Sequence, residues 1–147
     1  MSDLKERTKR FALDVIRLCA ALPRKQEFLI IGKQLTRSAT SVGANYRSAR
    51  RAKSRADFLA KMAIVEEEAD ECMYWMELLE GLGCASEPEL RRLQDEADQL
   101  VAIAVASKKT ARGNDERRSA KDEQQEADGR GSNDERRAGK WSRPGIE

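Results

Sequence analysis

Acidic residues at two points in the chain have the spacing that a magnesium-dependent hydrolase needs. All-α nucleotide pyrophosphohydrolases hold Mg²⁺ between paired acidic motifs on neighbouring helices, and here Glu68 and Glu71 form one pair while Asp95 and Asp98 form an imperfect second. On a helical wheel, Glu71 lies about 140° from the centre of its apolar stripe, and Asp95 lies nearly opposite its own. Carboxylates on outer helix faces cannot converge on one magnesium ion, so this spacing does not predict an enzyme.

Histidine and cysteine offer no alternative chemistry. The chain has no histidine, which removes the Glu-x-x-His pairs of di-metal helical bundles. Its three cysteines, Cys19, Cys72 and Cys84, are scattered without a Cys-x-x-Cys pair. We interpret them as small hydrophobic residues rather than as redox or metal ligands. We therefore predict a protein without a catalytic site, a metal or a cofactor.

Positive charge is concentrated in one short stretch. Five cations fall within nine residues: Arg47, Arg50, Arg51, Lys53 and Arg55. The whole chain has a formal net charge of only +2, so binding to RNA or DNA must come from this local patch. Tyr46 is the single aromatic residue in the cluster, and we predict contact with phosphates without base readout. A solvated helix end, paired with neighbouring acidic side chains, explains the same residues equally well.

Two periodic segments flank the basic cluster and must position it. Apolar or small residues recur in each segment at a spacing of three and four, which places each set on one stripe of a helix. The first set is Phe28, Ile31, Leu35, Ser38, Val42, Asn45 and Ala49, and the second is Phe58, Met62, Val65, Ala69, Cys72, Met76 and Leu79. The pattern predicts a helical hairpin with the basic cluster at its turn.

Similar stripes before and after the hairpin predict two further helices. We place the four helices at residues 3–21, 24–52, 54 to 81 or 83, and from 87 to about 111. No alternating run predicts a strand. Because the connections are short, the chain is predicted to be all-α, an up-down-up-down antiparallel four-helix bundle over residues 1–111. The chain offers no secretory signal and no run of about 18 apolar residues, so we expect a cytoplasmic protein without membrane contact.

Three residues of the hairpin are assigned structural roles. Gly43 lies inside a helix, where glycine is unfavourable, and we interpret it as permitting close approach of another backbone. The small residues around it pack either within the bundle or at a subunit interface. Asn45 is predicted to point inward and set helix register, with ligand binding as the alternative. Arg37 is predicted to lie level with Glu67–Glu71 across the hairpin and to form ion pairs there.

The composition changes after Arg112. Residues 112–147 contain almost no aliphatic side chains and balanced acidic and basic ones, so we predict a disordered polyampholyte tail that is dispensable for folding. The peptide Asn-Asp-Glu-Arg-Arg occurs in it twice. The sequence leaves open the sign of the tail's effect on nucleic-acid binding. Its carboxylates can weaken binding, through Asp115, Glu116, Asp134 and Glu135, or its arginines can extend the binding surface, through Arg117, Arg118, Arg136 and Arg137. Trp141 is either a docking residue or incidental.

The hairpin sequence also resembles a known family. Residues 37–79, RSATSVGANYRSARRAKSRADFLAKMAIVEEEADECMYWMELL, resemble the signature hairpin of bacterial four-helix bundle proteins related to the 23S rRNA intervening-sequence protein. The usual pattern is R-S-[GA]-T-S-[IV]-G-A-N-x-R-E-A, and Ser48 stands where glutamate is common. The resemblance covers residues 5–110, and the charged tail has no counterpart in it.

The resemblance implies a fold, an assembly and a partner. The implied structure is a compact four-helix bundle that forms a ring-like homo-oligomer, a pentamer. Some relatives are encoded within inserts of ribosomal RNA genes, and a similar protein assists the reverse transcriptase of diversity-generating retroelements, which implies a link to nucleic acid. No enzymatic activity is implied.

The third helix carries more apolar residues than one stripe needs. Its additional apolar residues are Leu59, Ile64, Tyr74, Trp75 and Leu78. Extra apolar surface needs cover, which independently predicts a homo-oligomer that associates through outer helix faces. The sequence thus leaves two functions open, namely a non-catalytic nucleic-acid-binding protein and a protein-interaction adaptor that uses the acidic run or the tail.

Overall fold

The described part of the chain folds into four consecutive helices. The computed structural model describes residues 3–84, 87–129 and 141–144, and contains α1 (Leu4–Ala20), α2 (Gln26–Arg50), α3 (Arg55–Leu82) and α4 (Glu87–Ala127). Each helix packs against the next, and α1 closes the bundle with a smaller contact against α4. No strand occurs in the described ranges. The predicted all-α four-helix bundle is confirmed.

Side-chain caps explain where α1 and α3 begin. The Asp3 carboxylate accepts a hydrogen bond from the Lys5 amide at 3.1 Å. The Ser54 hydroxyl accepts one from the Asp57 amide, also at 3.1 Å, while the Asp57 carboxylate accepts one from the Lys53 amide at 3.2 Å. These bonds satisfy amides that have no partner within the helix. At the other end of α3, Gly83 adopts the left-handed conformation, with φ of 66°, that terminates many helices.

The core consists largely of the predicted apolar stripes, except that one core position of α2 is taken by a different residue from the one predicted. The sequence pattern placed Asn45 in the core, but Asn45 is half-buried, and Tyr46 is 1% exposed in its place. The Asn45 amide donates hydrogen bonds to the backbone and side-chain oxygens of Ser41, both at 2.9 Å. Asn45 therefore bonds within its own helix and does not set register with a facing helix.

Gly43 lies where α1 crosses α2. A Cβ atom at this position would lie 3.4 Å from the Thr8 hydroxyl oxygen and 3.7 Å from the Thr8 carbonyl carbon. Thr8 is buried, and its hydroxyl donates a hydrogen bond to the Lys5 carbonyl at 3.1 Å. The backbone of α1 thus approaches Gly43 closely, and a methyl group at this position would lie in van der Waals contact with Thr8.

The additional apolar residues of α3 are mostly covered by the bundle itself. Leu59, Trp75 and Leu78 are partly buried and pack against the core, Ile64 is half-buried, and only Tyr74 is exposed. Other exposed apolar side chains occur on α1 and α2, at Leu13, Ile16, Leu29 and Ile30, and at the end of α3, at Leu82. No described helix is both long enough and apolar enough to cross a membrane.

The structure differs from the sequence prediction after Arg112. Instead of ending near residue 111, α4 continues to Ala127, and we call residues 112–127 the α4 extension. The last buried residue of α4 is Ala111, and the side chains from Asn114 to Ala127 are exposed. Glutamate, glutamine, lysine, arginine and alanine dominate this segment and favour helix without any apolar face. The rest of the predicted tail, apart from residues 128–129 and 141–144, lies outside the described residues, as does the second Asn-Asp-Glu-Arg-Arg peptide.

Candidate functional site

The turn between α2 and α3 presents five cations at one end of the bundle. We call this set, Arg47, Arg50, Arg51, Lys53 and Arg55, the basic rim. The helix α2 ends at Arg50, Ala52 is buried beneath the turn, and Ser54 starts the next helix. Arg47 and Arg50 occupy the last turn of α2, where the helix dipole favours positive charge. The fold therefore brings all five predicted binding residues to one surface.

Two members of the basic rim have acidic partners. An Arg50 guanidinium nitrogen lies 3.9 Å from the Asp3 carboxylate, and Arg55 forms an ion pair with Asp115 of the α4 extension. Arg47, Arg51 and Lys53 are exposed and form no ion pair with any residue that the structure describes. Pairing with acidic side chains thus accounts for only part of the rim, and three cations are available to an external anion.

The aromatic residue within the rim is not available for stacking. Tyr46 is almost completely buried, and its burial raises the pKa of its phenol, an effect that Arg50 partly opposes. Its ring supports the rim from below and presents no face to solvent. The rim itself can therefore contact phosphates but cannot stack on a base.

Arg37 joins α2 to the acidic run of α3. Its guanidinium donates hydrogen bonds to Glu68 at 3.3 Å and to Glu71 at 2.5 Å, as predicted from the hairpin register. The Trp75 indole also donates to Glu71, at 3.0 Å. Burial by itself would raise the pKa of Glu71, but the hydrogen bonds from Arg37 and Trp75 outweigh it and lower the pKa. Glu71 therefore remains an ionised partner of Arg37 at neutral pH.

The carboxylates that could have suggested a magnesium site do not converge. Glu68 and Glu71 bind Arg37, while Asp95 and Asp98 are exposed on the outer face of α4. Within residues 3–84, 87–129 and 141–144, no group of three histidine, cysteine or acidic residues is arranged to hold a metal ion.

The three cysteines are free thiols. Cys72 is buried in the core, as predicted, and Cys19 and Cys84 are half-buried. Burial raises the pKa of all three thiols. A neutral thiol is a poor nucleophile and a poor metal ligand, so the environment of these residues favours packing over chemistry.

Comparison with known proteins assigns this fold to a family. The family model described as 23S rRNA-intervening sequence protein matches residues 2–106. The chain belongs to this family. This chain is 32% identical in sequence to a crystallised protein from Bacteroides thetaiotaomicron, and the two structures superpose with a TM-score of 0.68. That protein is described as a protein with unknown function from the S23 ribosomal protein family. That similarity covers 73% of this chain and 99% of the other. No curated protein matches the chain.

The family match divides the chain into two parts. The basic rim and the ion pairs of Arg37 with Glu68 and Glu71 lie within the range matched by the 23S rRNA-intervening sequence protein family, whereas the α4 extension lies outside it. Sequence reasoning missed that this extension reaches the rim, where Asp115 pairs with Arg55. It also left open the role of Trp141, whose ring centre lies 5.3 Å from that of Phe58. The helix-forming composition of residues 116–127 was the available signal for the first of these features.

Proposed function

We propose that the protein is a non-catalytic nucleic-acid-binding protein that contacts RNA or DNA backbones through the basic rim. The observation that carries this proposal is the exposure of Arg47, Arg51 and Lys53 at one end of the bundle without acidic partners among the described residues. Exposed, unpaired cations gain the most binding free energy from contact with a phosphate, because no existing ion pair has to be broken. The proposed location is the cytoplasm.

Assembly into a homo-oligomer would strengthen nucleic-acid binding by the basic rim. Three cations on one copy bind a phosphate backbone feebly, but several copies that engage the same strand gain through effective concentration. We propose a homo-oligomer, a pentamer as the family resemblance implies, in which the rim is repeated. Exposed apolar side chains support association, since Leu29 is 60% exposed, Ile30 is 54% exposed and Tyr74 is 53% exposed.

The mass of the protein in solution tests the assembly. Light scattering during gel filtration is expected to give about five times the 16.6 kDa mass of the chain at micromolar concentration. The Leu29→Glu/Ile30→Glu variant places charge on the exposed apolar surface and should reduce that mass if the surface is buried between subunits. A wild-type protein that elutes as a monomer would refute the oligomer.

Charge reversal in the rim tests the binding proposal. The Arg47→Glu/Arg51→Glu variant is expected to bind labelled structured RNA and single-stranded DNA at least tenfold more weakly than the wild type, because it removes two cations and adds two repulsive charges. Titrations at two salt concentrations should also show a shallower salt dependence, since fewer counterions are released.

A matched variant controls for overall charge. Arg24 and Arg91 are exposed near the opposite end of the bundle, so Arg24→Glu/Arg91→Glu changes the net charge equally without touching the rim. It should bind nearly as well as the wild type. Equal losses in both double variants would mean that binding is non-specific attraction to the whole chain rather than a property of the rim.

The alternative is a protein-interaction adaptor. Glu67 and Asp70 of the acidic run are exposed and have no ion-pair partner among the described residues, which favours a basic protein surface as their ligand. Failure of the wild-type protein to bind any nucleic acid at low salt would favour this function over the proposed one.

A further inference from the structure

A second basic surface lies beside the rim, between the start of α3 and the α4 extension. It is a groove of about 560 Å³, within the range of roughly 300–1,000 Å³ typical of ligand sites. Its lining combines Arg55 from α3 with Asn114, Arg117, Arg118, Ala120 and Lys121 from α4, and Trp141 and Ser142 from the C-terminal segment. Three separate parts of the chain thus contribute to one concave surface.

The groove is strongly cationic. Arg55, Arg117, Arg118 and Lys121 line it, and none of the lining residues that the structure describes is a carboxylate. Asp115 pairs with Arg55 from outside the lining, whereas Arg117, Arg118 and Lys121 are exposed and have no acidic partner in the described parts of the chain. The Arg55 Nε atom is buried and makes no hydrogen bond to the described residues. The arrangement favours an anionic ligand that carries several phosphates.

An aromatic side chain completes the groove. Trp141 contacts Phe58, with the two ring planes at 45°, and Phe58 belongs to the core. The indole is therefore held by the bundle, yet it remains partly exposed and borders the groove. Trp141 can therefore contact a ligand in the groove, whereas the ring of Tyr46 is buried and cannot.

We propose that this groove binds a short single-stranded stretch of nucleic acid, with phosphates on Arg117, Arg118 and Lys121 and one unstacked base against Trp141. Cationic grooves with aromatic platforms suit single strands, because the bases of a duplex are already stacked on one another. The inference rests on the proposed function and deepens it. Since every described lining residue except Arg55 lies beyond residue 106, most of the site belongs to the part of the chain that the family match does not cover.

The test compares oligonucleotides with and without bases on the full-length protein. The probes are ten-nucleotide oligothymidylate and oligouridylate, an abasic oligonucleotide of the same length, and a DNA duplex. Wild type should prefer the two single strands over the abasic strand and the duplex. Trp141→Ala should weaken binding of both single strands by about 5- to 150-fold and leave binding of the abasic strand nearly unchanged. Trp141→Phe should retain most of the affinity, because phenylalanine also stacks.

Two further variants separate binding from folding. Trp75→Phe makes Trp141 the sole tryptophan, so its fluorescence should be quenched by oligothymidylate but not by the abasic strand. Arg117→Glu/Arg118→Glu alters exposed side chains and should weaken binding of all single strands, the abasic one included, by at least tenfold. Circular dichroism at the assay temperature checks that each variant is folded.

The outcomes distinguish this inference from the proposed function. One outcome is that single strands bind and the rim variant weakens them, while Trp141→Ala, Arg117→Glu/Arg118→Glu and loss of the bases have no effect. This outcome refutes binding in the groove and supports binding by the basic rim. If no nucleic acid binds at low salt, both are refuted. If decaglutamate binds as tightly as oligothymidylate and depends equally on Trp141, the groove is a site for acidic peptides and the inference is wrong.

Discussion

Replacement of Phe58 by alanine is expected to lower the free energy of unfolding by about 3–5 kcal/mol. Phe58 is 1% exposed in the first turns of α3, and its ring contacts Trp141. The truncated side chain leaves a cavity at the end of the bundle that carries the basic rim, and it removes the surface on which the indole packs. Both losses act on the same part of the molecule.

Urea denaturation followed by circular dichroism measures this effect. Phe58→Leu is the matched control, since it keeps most of the apolar volume and should cost less than about 1.5 kcal/mol. In a Trp75→Phe background, Phe58→Ala should also shift the Trp141 emission towards that of a solvated indole. A loss below 1 kcal/mol would mean that this end of the core is loosely packed.

Truncation after Arg112 is expected to destabilise the bundle by about 1–3 kcal/mol without unfolding it. The sequence predicted that the tail is dispensable, but the structure shows that it supplies the indole against Phe58 and the Asp115 carboxylate of the Arg55 ion pair. The exposed ion pair contributes little, about 0–1 kcal/mol, so the indole accounts for most of the loss. The helical signal from α1 to α3 should persist.

A second truncation, after Gly129, shows which part of the tail is responsible for the loss of stability. It removes Trp141 but retains the α4 extension and Asp115, and it should account for most of the destabilisation. Combining Phe58→Ala with either truncation should cost less than the sum of the separate effects, because the two changes remove the same contact. Unchanged stability after both truncations would restore the original expectation of a dispensable tail.

Apolar periodicity predicted the bundle because burial imposes a regular pattern on every helix of a core. It was less informative at the end of α2, where Asn45 and Tyr46 lie next to each other. A repeat of three and four residues drifts relative to the true helical period, so adjacent positions compete for the same place in the core. The large apolar ring of Tyr46 occupies it, and the Asn45 amide finds Ser41 instead.

The α4 extension and the groove could not be predicted in the same way. A helix that is polar on all faces has no periodic signal, and its balanced charge is also typical of disorder. The groove further depends on residues far apart in sequence, since Arg55 meets Asp115 and Phe58 meets Trp141 only after the bundle has folded. Such proximities follow from the tertiary structure and from no local pattern.

The solvent exposure of the α4 extension affects how this protein can change during evolution. From Glu116 to Ala127 no side chain is buried, so folding limits a substitution there mainly through helix propensity. Core positions such as Ala69 or Val42 allow no such freedom, because each is enclosed on all sides. Mutations can therefore add, remove or move charges along the extension while the bundle stays intact. Surface charge and fold can thus be selected independently within one short chain.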